Sequence, residues 1–241
     1  MLNINITSKK YQNNKIIDSF KLEINNSDFI SIIGPSGCGK TSLLNMISNI
    51  DDDYLGLILF NKKNILNSNI GVMFQDSRLI PWLNVLENIL LVSKSKNEEE
   101  IINALRQIGL GEYIHSYVKE LSGGMQRRVA LVRAFINKPD VLLLDEPFIS
   151  LEYPTAQSLR SDFMKFYNKY KPTVILVTHD LKEAISLSKR IVFLDSKPMK
   201  IVLDFENKND FSSNLEDVEI EKIKESILKN YPKILSGNIF D

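Results

Sequence analysis

The amino-acid sequence predicts an α/β fold with a mainly parallel sheet and a helical segment inserted in its middle. Short apolar or alternating runs typical of strands recur along the chain, and segments between them place apolar residues at helical spacing. Strands that alternate with helices favour parallel pairing, with helices covering both faces of the sheet. A third observation locates the insertion, because the block from about Asp76 to Asn137 has no convincing strand.

The predicted strands are LNINIT, FKLEI, DFISIIG, GLILF, NIGVMF, DVLLLDEP, TVILVTHD and RIVFLD. The later runs are apolar at nearly every position, which indicates burial on both faces. Helical spacing follows the Gly-Lys-Thr segment at Leu43, Leu44, Ile47 and Ile50, and it recurs in NEEEIINALRQIGL, GMQRRVALVRAFI and DLKEAISLSKR. The tail from Asp204 is rich in charge, and its segment LEDVEIEKIKESILKNY predicts an amphipathic helix.

Composition limits the class of protein. The 241 residues are 44% hydrophobic and 25% charged, which suits one large domain or a core with a subdomain. Thirty basic and thirty acidic residues leave no net charge, which argues against a nucleic-acid-binding protein. The single cysteine, Cys38, excludes an internal disulfide and fits a reducing compartment. The start MLNINITSKK has no apolar signal segment, so we expect a cytosolic chain that reaches a membrane only by docking.

The stretch ISIIGPSGCGKTSLL contains a G-x-x-x-x-G-K-T motif between a predicted strand and a predicted helix. This context is typical of a phosphate-binding loop. Gly34, Gly37 and Gly39 allow the backbone to turn its N–H groups toward phosphate oxygens. Lys40 is expected to neutralise the β- and γ-phosphates, and Thr41 to offer its hydroxyl to Mg²⁺. A purely structural glycine turn would explain neither the lysine nor the threonine.

Cys38 lies inside the same loop, next to the predicted start of a helix. The positive end of a helix dipole lowers the pKa of a nearby thiol. Cys38 is expected to be a passive member of the loop, but a lowered pKa would allow its alkylation, which ATP is expected to block.

The run VLLLDEP is an apolar strand that ends in two acidic residues. Strand ends are where an α/β sheet collects its ligands, so Asp145 is expected to hold Mg²⁺ and Glu146 to accept a proton from the attacking water. The alternative is that the two acids only end a strand. A second alternative concerns NKPD at 137–140, which matches the guanine-recognition pattern of GTPases. That pattern should follow the Mg²⁺-binding acid, whereas here it precedes Asp145, so a helix-to-strand turn is favoured.

The order of GPSGCGKT, Gln75, LSGGM, VLLLDEP and His179 resembles that of the ATP-binding cassette (ABC) ATPases. The resemblance runs from about Leu2 to Leu203. It implies a P-loop NTPase core of the RecA-like type with a mainly parallel sheet, an N-terminal antiparallel β subdomain and an inserted helical subdomain.

The resemblance also divides the chain. Residues 1–203 are expected to form the ATPase domain, with the helical subdomain at about 76–137 inserted in it. Residues 204–241 form a C-terminal tail that is expected to be partly helical.

The LSGGM segment is the signature of the resembled family, in which two cassettes pair head to tail. The resemblance implies that the serine and glycines of one cassette cap the γ-phosphate held by the other. Ser122 is a good helix N-cap, and Gly123 and Gly124 expose backbone N–H groups there. An ordinary capped helix would explain Ser122 but not both glycines. The residues expected to contact the nucleotide are Tyr11, Gly34, Pro35, Ser36, Gly37, Cys38, Gly39, Lys40, Thr41, Ser42, Ser122, Gly123 and Gly124.

Three further positions take their roles from the resemblance. Gln75 follows the strand GVMF and is similar to the glutamine that joins the Mg²⁺ and water site to the helical insertion. His179 follows the strand TVILV and resembles the histidine that contacts the γ-phosphate. Tyr11 lies where the family stacks an aromatic ring on adenine, although packing in an N-terminal strand is an equal alternative. The expected catalytic residues are Glu146, His179, Gln75 and Lys40, and the expected metal ligands are Thr41, Gln75 and Asp145.

Two positions differ from the family pattern. Met125 stands where most signatures have glutamine, and the next residue is Gln126. The family's S/G-A-L-D loop is present as Ser150, Leu151 and Glu152, in which the acid is one methylene longer. This difference concerns the contact that the loop makes across the dimer.

The segments FQDSRLIPWLNVLENI, LSGGMQRRVAL and DEPF resemble the nitrate, sulfonate and taurine importer branch, which includes relatives for thiamine-precursor pyrimidines. In such importers the ATPase docks on a membrane subunit through the groove around the glutamine loop. The candidate interface is therefore residues 76–92. Trp82, Leu83 and Leu86 could alternatively pack within the helical subdomain.

The resemblance thus implies an ATP hydrolase that uses Mg²⁺ and powers a membrane importer from the cytoplasmic face. Its implied partners are a second cassette, transmembrane permease subunits and, indirectly, a substrate-binding protein. Two alternatives from other classes are a soluble mechanochemical cassette and an ATP-dependent interaction module without turnover. Glu146 and His179 argue against the interaction module, and the absence of a long coiled-coil insertion argues against a repair ATPase.

Overall fold

The computed structural model describes residues 1–12, 14–195, 198–207 and 217–235. The chain divides into two units, Met1–Ser68 with Thr173–Asp241, and Asn69–Pro172. Among the described residues, no helix has the length and apolar composition needed to span a bilayer. The strands are β1 (Leu2–Tyr11), β2 (Asn14–Ile24), β3 (Phe29–Ile33), β4 (Leu55–Phe60), β5 (Lys63–Asn64), β6 (Ile70–Met73), β7 (Val141–Asp145), β8 (Thr173–Val177), β9 (Arg190–Leu194) and β10 (Ile201–Glu206). The α-helices are α1 (Lys40–Ile47), α2 (Val85–Leu90), α3 (Glu98–Gln107), α4 (Gly123–Phe135), α5 (Tyr153–Tyr170), α6 (Leu181–Leu187) and α7 (Asp217–Asn230).

An antiparallel sheet in the order β2, β1, β4 and β5 forms the N-terminal part of the first unit. Its alternating sequence explains its two faces, because Leu2, Ile4 and Ile6 are fully buried whereas Asn5 between them is exposed. The predicted N-terminal antiparallel subdomain is therefore confirmed.

Mainly parallel strands form the rest of the sheet structure in the first unit. Strand β3 pairs in parallel with β8 and with β9, and β10 pairs antiparallel with β9. Every residue of β3 and β8 is buried, as their continuous apolar runs predict. Strand β10 was not predicted, and the domain end expected at Leu203 falls inside it. Four of its six residues are apolar, and Val202, Leu203 and Phe205 pack against a buried cluster, so the strand signal was present in the sequence.

The C-terminal tail contributes α7 to the first unit. Ile220, Ile227 and Ile234 of the tail are buried in one cluster with Ile185 of α6 and Phe193 of β9. An amphipathic helix was expected here, and its apolar face packs against α6 and the sheet. Residues 208–216 and 236–241 of the tail lie outside the described residues.

The second unit contains the parallel pair β6 and β7 together with helices α2 to α5. No strand occurs between residues 76 and 137, all of which are described, in agreement with the predicted helical block. Helix α5 was not predicted, although Leu159, Phe163 and Phe166 repeat at helical spacing. The rings of Phe163 and Phe166 lie 5.9 and 5.4 Å from the ring of Phe135, joining α5 to α4.

The NKPD segment turns from α4 into β7. Asn137 Nδ2 donates a hydrogen bond of 2.9 Å to the Val92 carbonyl, and Asp140 Oδ2 accepts one of 2.9 Å from the Asn69 N–H. Lys138 has a φ of +49°, which suits the end of a helix. The side chains of Asn137 and Asp140 therefore bind backbone groups of neighbouring segments. The interpretation as a helix-to-strand turn is confirmed, because α4 ends at Phe135 and β7 begins at Val141.

Candidate functional site

Two segments singled out by the sequence leave the same edge of the parallel sheet in the first unit. In the pairing of β3 with β8, Ile32 lies opposite Val177. The phosphate loop follows β3 and His179 follows β8, so parallel pairing brings both to the carboxyl edge of neighbouring strands. Such an edge is where α/β proteins bind ligands.

The phosphate loop requires glycine at two positions for different reasons. Gly37 has a φ of +75°, and a Cβ built there would meet no atom within 4 Å, so only its backbone conformation favours glycine. Gly39 has a φ of +110°, and a Cβ there would lie 2.7 Å from Ile16 Cγ2 and 2.9 Å from Met199 Cε. The loop is therefore fixed both by backbone geometry and by packing.

Lys40 begins α1 and is 8% exposed. Its ammonium donates hydrogen bonds of 2.7 Å to the Gly34 carbonyl and 3.0 Å to the Pro35 carbonyl. These bonds hold a positive charge inside the loop. The first N–H groups of α1 have no acceptor within the helix, and the helix dipole favours an anion at this end. Thr41 is exposed in the same turn, so its hydroxyl is accessible.

The pKa of the Cys38 thiol is shifted in the direction opposite to the predicted one. The side chain is only 1% exposed, and burial raises the pKa of its thiol above the ordinary value. The charge of Lys40 acts in the opposite direction but is outweighed. The lowered pKa expected from the helix terminus is therefore wrong, because burial outweighs it, whereas alkylation that ATP blocks stays a prediction.

His179 lies exposed between two residues whose backbone is fixed. The N–H of buried Thr178 donates to the Ile32 carbonyl at 3.2 Å, which continues the pairing of β3 with β8. Asp180 caps α6 by accepting a hydrogen bond of 2.8 Å from the Lys182 N–H. The imidazole is thereby presented from a short and well-defined turn.

Tyr11 lies at the end of β1 in the first unit and is 43% exposed. Its hydroxyl donates a hydrogen bond of 2.6 Å to Asp51 Oδ2, and the Lys9 ammonium lies 4.5 Å from its ring centroid. The ring is thus partly accessible, as adenine stacking needs, and the stacking role stays a prediction.

A second carboxyl edge lies in the second unit. Strands β6 and β7 are parallel, with Met73 opposite Leu144. Gln75 follows β6 by two residues and is exposed, whereas Asp145 ends β7 and is 6% exposed. The pairing therefore brings Gln75, Asp145 and the following Glu146 to one edge, as their positions in the sequence predict.

Glu146 has an unusual backbone. Its φ of +46° lies in the left-handed region, which a non-glycine residue occupies at a cost of about 1–3 kcal/mol. Such a conformation persists only where the surrounding structure holds it, and it is common at active sites. Glu146 is half-buried and follows directly after a buried strand.

The two signature glycines serve different purposes. Ser122 caps α4 by accepting a hydrogen bond of 3.3 Å from the Met125 N–H. A Cβ on Gly124 would lie 2.6 Å from Thr155 Cγ2, so Gly124 is required for the packing of α4 against α5. A Cβ on Gly123 would meet nothing within 4 Å, and Gly123 is exposed. Among the residues that the structure describes, no contact therefore explains why position 123 is glycine.

A cleft of about 390 Å³ lies beside the signature in the second unit. The Arg127 guanidinium donates a hydrogen bond of 3.2 Å to the Phe74 carbonyl, directly before Gln75. Burial lowers the pKa of Arg127, and the charge of Asp76 acts in the opposite direction. Arg127 was not predicted as a site residue. The only feature of the sequence that pointed to it was its position about one helical turn after the signature. The lining residues include Asp76, Arg78, Gly123, Gln126, Arg127, Ser150 and Leu151.

The available ligands suit Mg²⁺. The predicted ligands Thr41, Gln75 and Asp145 all offer oxygen atoms, which Mg²⁺ prefers, and Asp145 is a buried carboxylate. Within the described part of the chain, no group of three or more His, Cys, Asp or Glu side chains forms an all-protein metal site. Mg²⁺ commonly binds through one or two protein ligands together with phosphate oxygens and water, so the residues fit this ion.

Comparisons with known proteins agree with the order of these motifs. The family model described as ABC transporter matches residues 17–149, more than half of the chain. The aliphatic sulfonates import ATP-binding protein SsuB of Bacillus cereus is 36% identical over 229 residues, covering 93% of this chain and 91% of the relative. The spermidine/putrescine import ATP-binding protein PotA of Pasteurella multocida is 37% identical, covering 78% of this chain and 54% of the relative.

A solved dimeric ATP-binding cassette in a post-hydrolysis state, bound to ADP and phosphate, has the same fold. Its TM-score is 0.74 at 26% identity, covering 87% of this chain and 100% of that chain. The fold and the motifs therefore define a P-loop ATPase of the cassette type. The chain belongs to the ABC transporter family, and its enzymatic activity is ATP hydrolysis.

Proposed function

We propose that the chain is the ATPase subunit of a membrane importer and that it works with Mg²⁺ as a homodimer at the cytoplasmic face of the membrane. The observation on which the dimer depends is Gly123, an exposed helical glycine that no contact in the described part of its own chain requires. In the same proposal, residues 1–203 are the ATPase domain, 76–137 its helical insertion and 204–241 an additional tail.

Each side chain has a chemical role in the proposed cycle. Lys40 neutralises the phosphate oxygens, and its two carbonyl contacts set the position of the ammonium before nucleotide arrives. Thr41, Gln75 and Asp145 would hold Mg²⁺, which neutralises phosphate charge when bound. Glu146 accepts a proton from the attacking water, and His179 contacts the γ-phosphate.

The second protomer completes the proposed site. Ser122, Gly123 and Gly124 present the N-terminal end of α4, a helix of 13 residues, whose dipole favours an anion. In the proposed dimer this end covers the γ-phosphate held by the partner. ATP binding then closes the two cassettes, and hydrolysis with phosphate release reopens them.

The proposed permease contact lies in residues 76–92. Trp82 is 74% exposed, which supports a docking role, whereas Leu86 is 6% exposed and packs inside the second unit. A large exposed aromatic side chain is typical of a protein interface. A cleft of about 290 Å³ in the same unit is lined by Phe74, Arg78, Val92 and others, and it suits a short segment of a membrane subunit.

The proposed cargo is a small anionic solute of the sulfonate type, delivered by a substrate-binding protein that the cassette does not touch. The name of the SsuB relative supports this class, while the name of the PotA relative refers to polyamine import. A thiamine-precursor pyrimidine and a soluble, non-transport ATPase are the alternative functions. Uptake of a sulfonate by vesicles that contain the chain with its permease tests the cargo directly.

Replacing Trp82 by Asp is expected to abolish co-purification of the chain with its permease, because a charge would have to be buried in the interface. The variant should retain ATP hydrolysis, since Trp82 contributes to no nucleotide contact in the proposal. Pull-down of tagged permease from detergent-solubilised membranes measures the effect. Leu55→Asp is the matched control, because Leu55 is 68% exposed and lies outside residues 76–92. Equal recovery of the permease with Trp82→Asp and wild type would contradict the proposed interface.

A further inference from the structure

Lys9 is a buried lysine in the first unit that the predicted nucleotide site does not include. Its side chain is 1% exposed, and its ammonium donates hydrogen bonds of 2.7 Å to Asp51 Oδ1 and 2.6 Å to the Asp53 carbonyl. The second oxygen of Asp51, Oδ2, accepts the hydrogen bond of 2.6 Å from the Tyr11 hydroxyl. One carboxylate therefore joins a buried cation to the partly exposed aromatic ring.

Both partners of this ion pair are charged at neutral pH. Burial alone lowers the pKa of Lys9, but the hydrogen bond and the charge of Asp51 outweigh it, so the pKa lies above its ordinary value. Burial alone raises the pKa of Asp51, but hydrogen bonds from Lys9 and Tyr11 outweigh it, so the pKa lies below its ordinary value. A buried charge of this kind is tolerated only when it is paired.

The network holds the Tyr11 ring at two places. Asp51 fixes the hydroxyl, and the Lys9 ammonium lies 4.5 Å from the ring centroid, within the range of a cation–π interaction. Even so, 43% of Tyr11 remains exposed. A flat aromatic surface is thus accessible to a ligand while its orientation is restrained from within the protein.

The same network connects the ring to the helix that follows the phosphate loop. The N–H groups of Ile50 and Asp51 donate to the Asn45 carbonyl in α1, at 2.9 and 3.2 Å. Helix α1 begins at Lys40, so Asp51 joins the aromatic ring to the same short helix that the loop opens. A ligand with a flat base and a phosphate chain needs these two features at a fixed separation.

We propose that Lys9 and Asp51 are positioning residues that hold the Tyr11 ring ready to stack on the adenine of ATP. The inference rests on the proposed adenine-stacking role of Tyr11. A side chain that is already ordered loses less conformational freedom on binding, which is worth about twofold to tenfold in affinity for one side chain. Base–aromatic stacking itself is worth about fivefold to a hundredfold.

Tyr11→Phe is the sharpest test, because it retains the ring and leaves the buried pair of Lys9 and Asp51 intact. We expect its affinity for ATP to fall by about twofold to tenfold. Affinity for inorganic triphosphate, which has no base, is expected to remain at the wild-type value. Competition binding with each ligand measures the two affinities.

The double variant Lys9→Met with Asp51→Asn removes both charges together, so no buried charge is left without its partner. The affinity of this double variant for ATP should fall by the same factor as that of Tyr11→Phe. Its affinity for triphosphate should equal that of the wild type. Lys10→Met and Asp52→Asn are matched controls, because both residues are exposed neighbours of the pair in sequence. The controls should bind both ligands as the wild type does.

Comparison of these variants with Tyr11→Ala distinguishes the positioning role of Lys9 and Asp51 from the stacking role of Tyr11. If Tyr11→Ala leaves ATP affinity unchanged, the adenine-stacking role is wrong and the inference falls with it. If Tyr11→Ala lowers the affinity for ATP but Tyr11→Phe and the double variant do not, the stacking role is supported and the positioning role is overturned. An equal loss of affinity for ATP and for triphosphate in the double variant would overturn the positioning role and show a general structural role instead.

Discussion

Replacing Glu146 by Gln is expected to lower steady-state phosphate release by about 10²- to 10⁴-fold, the contribution of a well-positioned general base. The amide has nearly the same shape as the carboxylate but cannot accept the proton of the attacking water. ATP binding should be retained, because phosphate binding is assigned to the loop around Lys40. The variant should therefore accumulate as an ATP-bound dimer, which size-exclusion chromatography with and without ATP would detect.

The unusual backbone of Glu146 makes its control important. Glutamine occupies the left-handed region no more easily than glutamate, so the strain at φ +46° is the same in both proteins. Thermal unfolding of the variant should accordingly match that of the wild type. Glu99→Gln, an exposed carboxylate on α3, serves as the matched substitution and should hydrolyse ATP normally. Normal turnover by Glu146→Gln would remove Glu146 as the base.

Replacing Gly123 by Leu is expected to lower ATP hydrolysis by about 10²-fold, comparable to the loss of preorganised donors at a reacting oxyanion. The Cβ of the new side chain would meet nothing within 4 Å in its own chain. Leucine is also a better helix former than glycine, by roughly 1 kcal/mol, so the fold should not suffer. Phosphate release, ATP affinity of the protomer and thermal unfolding should be measured together.

Gly124 provides the contrasting control. An alanine at 124 would place its Cβ 2.6 Å from Thr155 Cγ2, so we expect a loss of about 1–3 kcal/mol in the free energy of unfolding. Thr155→Ser removes that methyl group and should restore part of the stability. If Gly123→Leu instead abolishes ATP binding by the isolated protomer, the proposed cap on the partner's nucleotide is wrong.

The sequence predicted the parts of the fold that a continuous apolar pattern specifies. Strands β3, β7 and β8 are fully buried runs, and each ends where the sequence placed a functional residue. Strand β10 also carries a strand signal, because four residues of its sequence IVLDFE are apolar, so it was missed by interpretation. Helix α5 did carry a helical pattern, so its omission was an error of interpretation and not a lack of signal.

The candidate site shows the same division between local signals and tertiary packing. The phosphate loop, Gln75, Asp145, Glu146 and His179 were found because residue type and order identify them. Burial of Cys38 and the contact of Gly124 with Thr155 depend on packing between segments distant in sequence, which no local pattern reports. The ion pair of Lys9 with Asp51 was missed for the same reason, since its partners lie 42 residues apart.

A mixed dimer of two inactive variants tests the central claim that each active site needs both chains. One protomer has Lys40→Ala and an intact signature, and the other has Gly123→Leu and an intact phosphate loop. Two different affinity tags allow the mixed dimer to be purified away from the parents. In that dimer one of the two sites combines wild-type Lys40 with wild-type Gly123, so we predict up to about half of the wild-type rate. A mixed dimer as inactive as each parent would contradict the account.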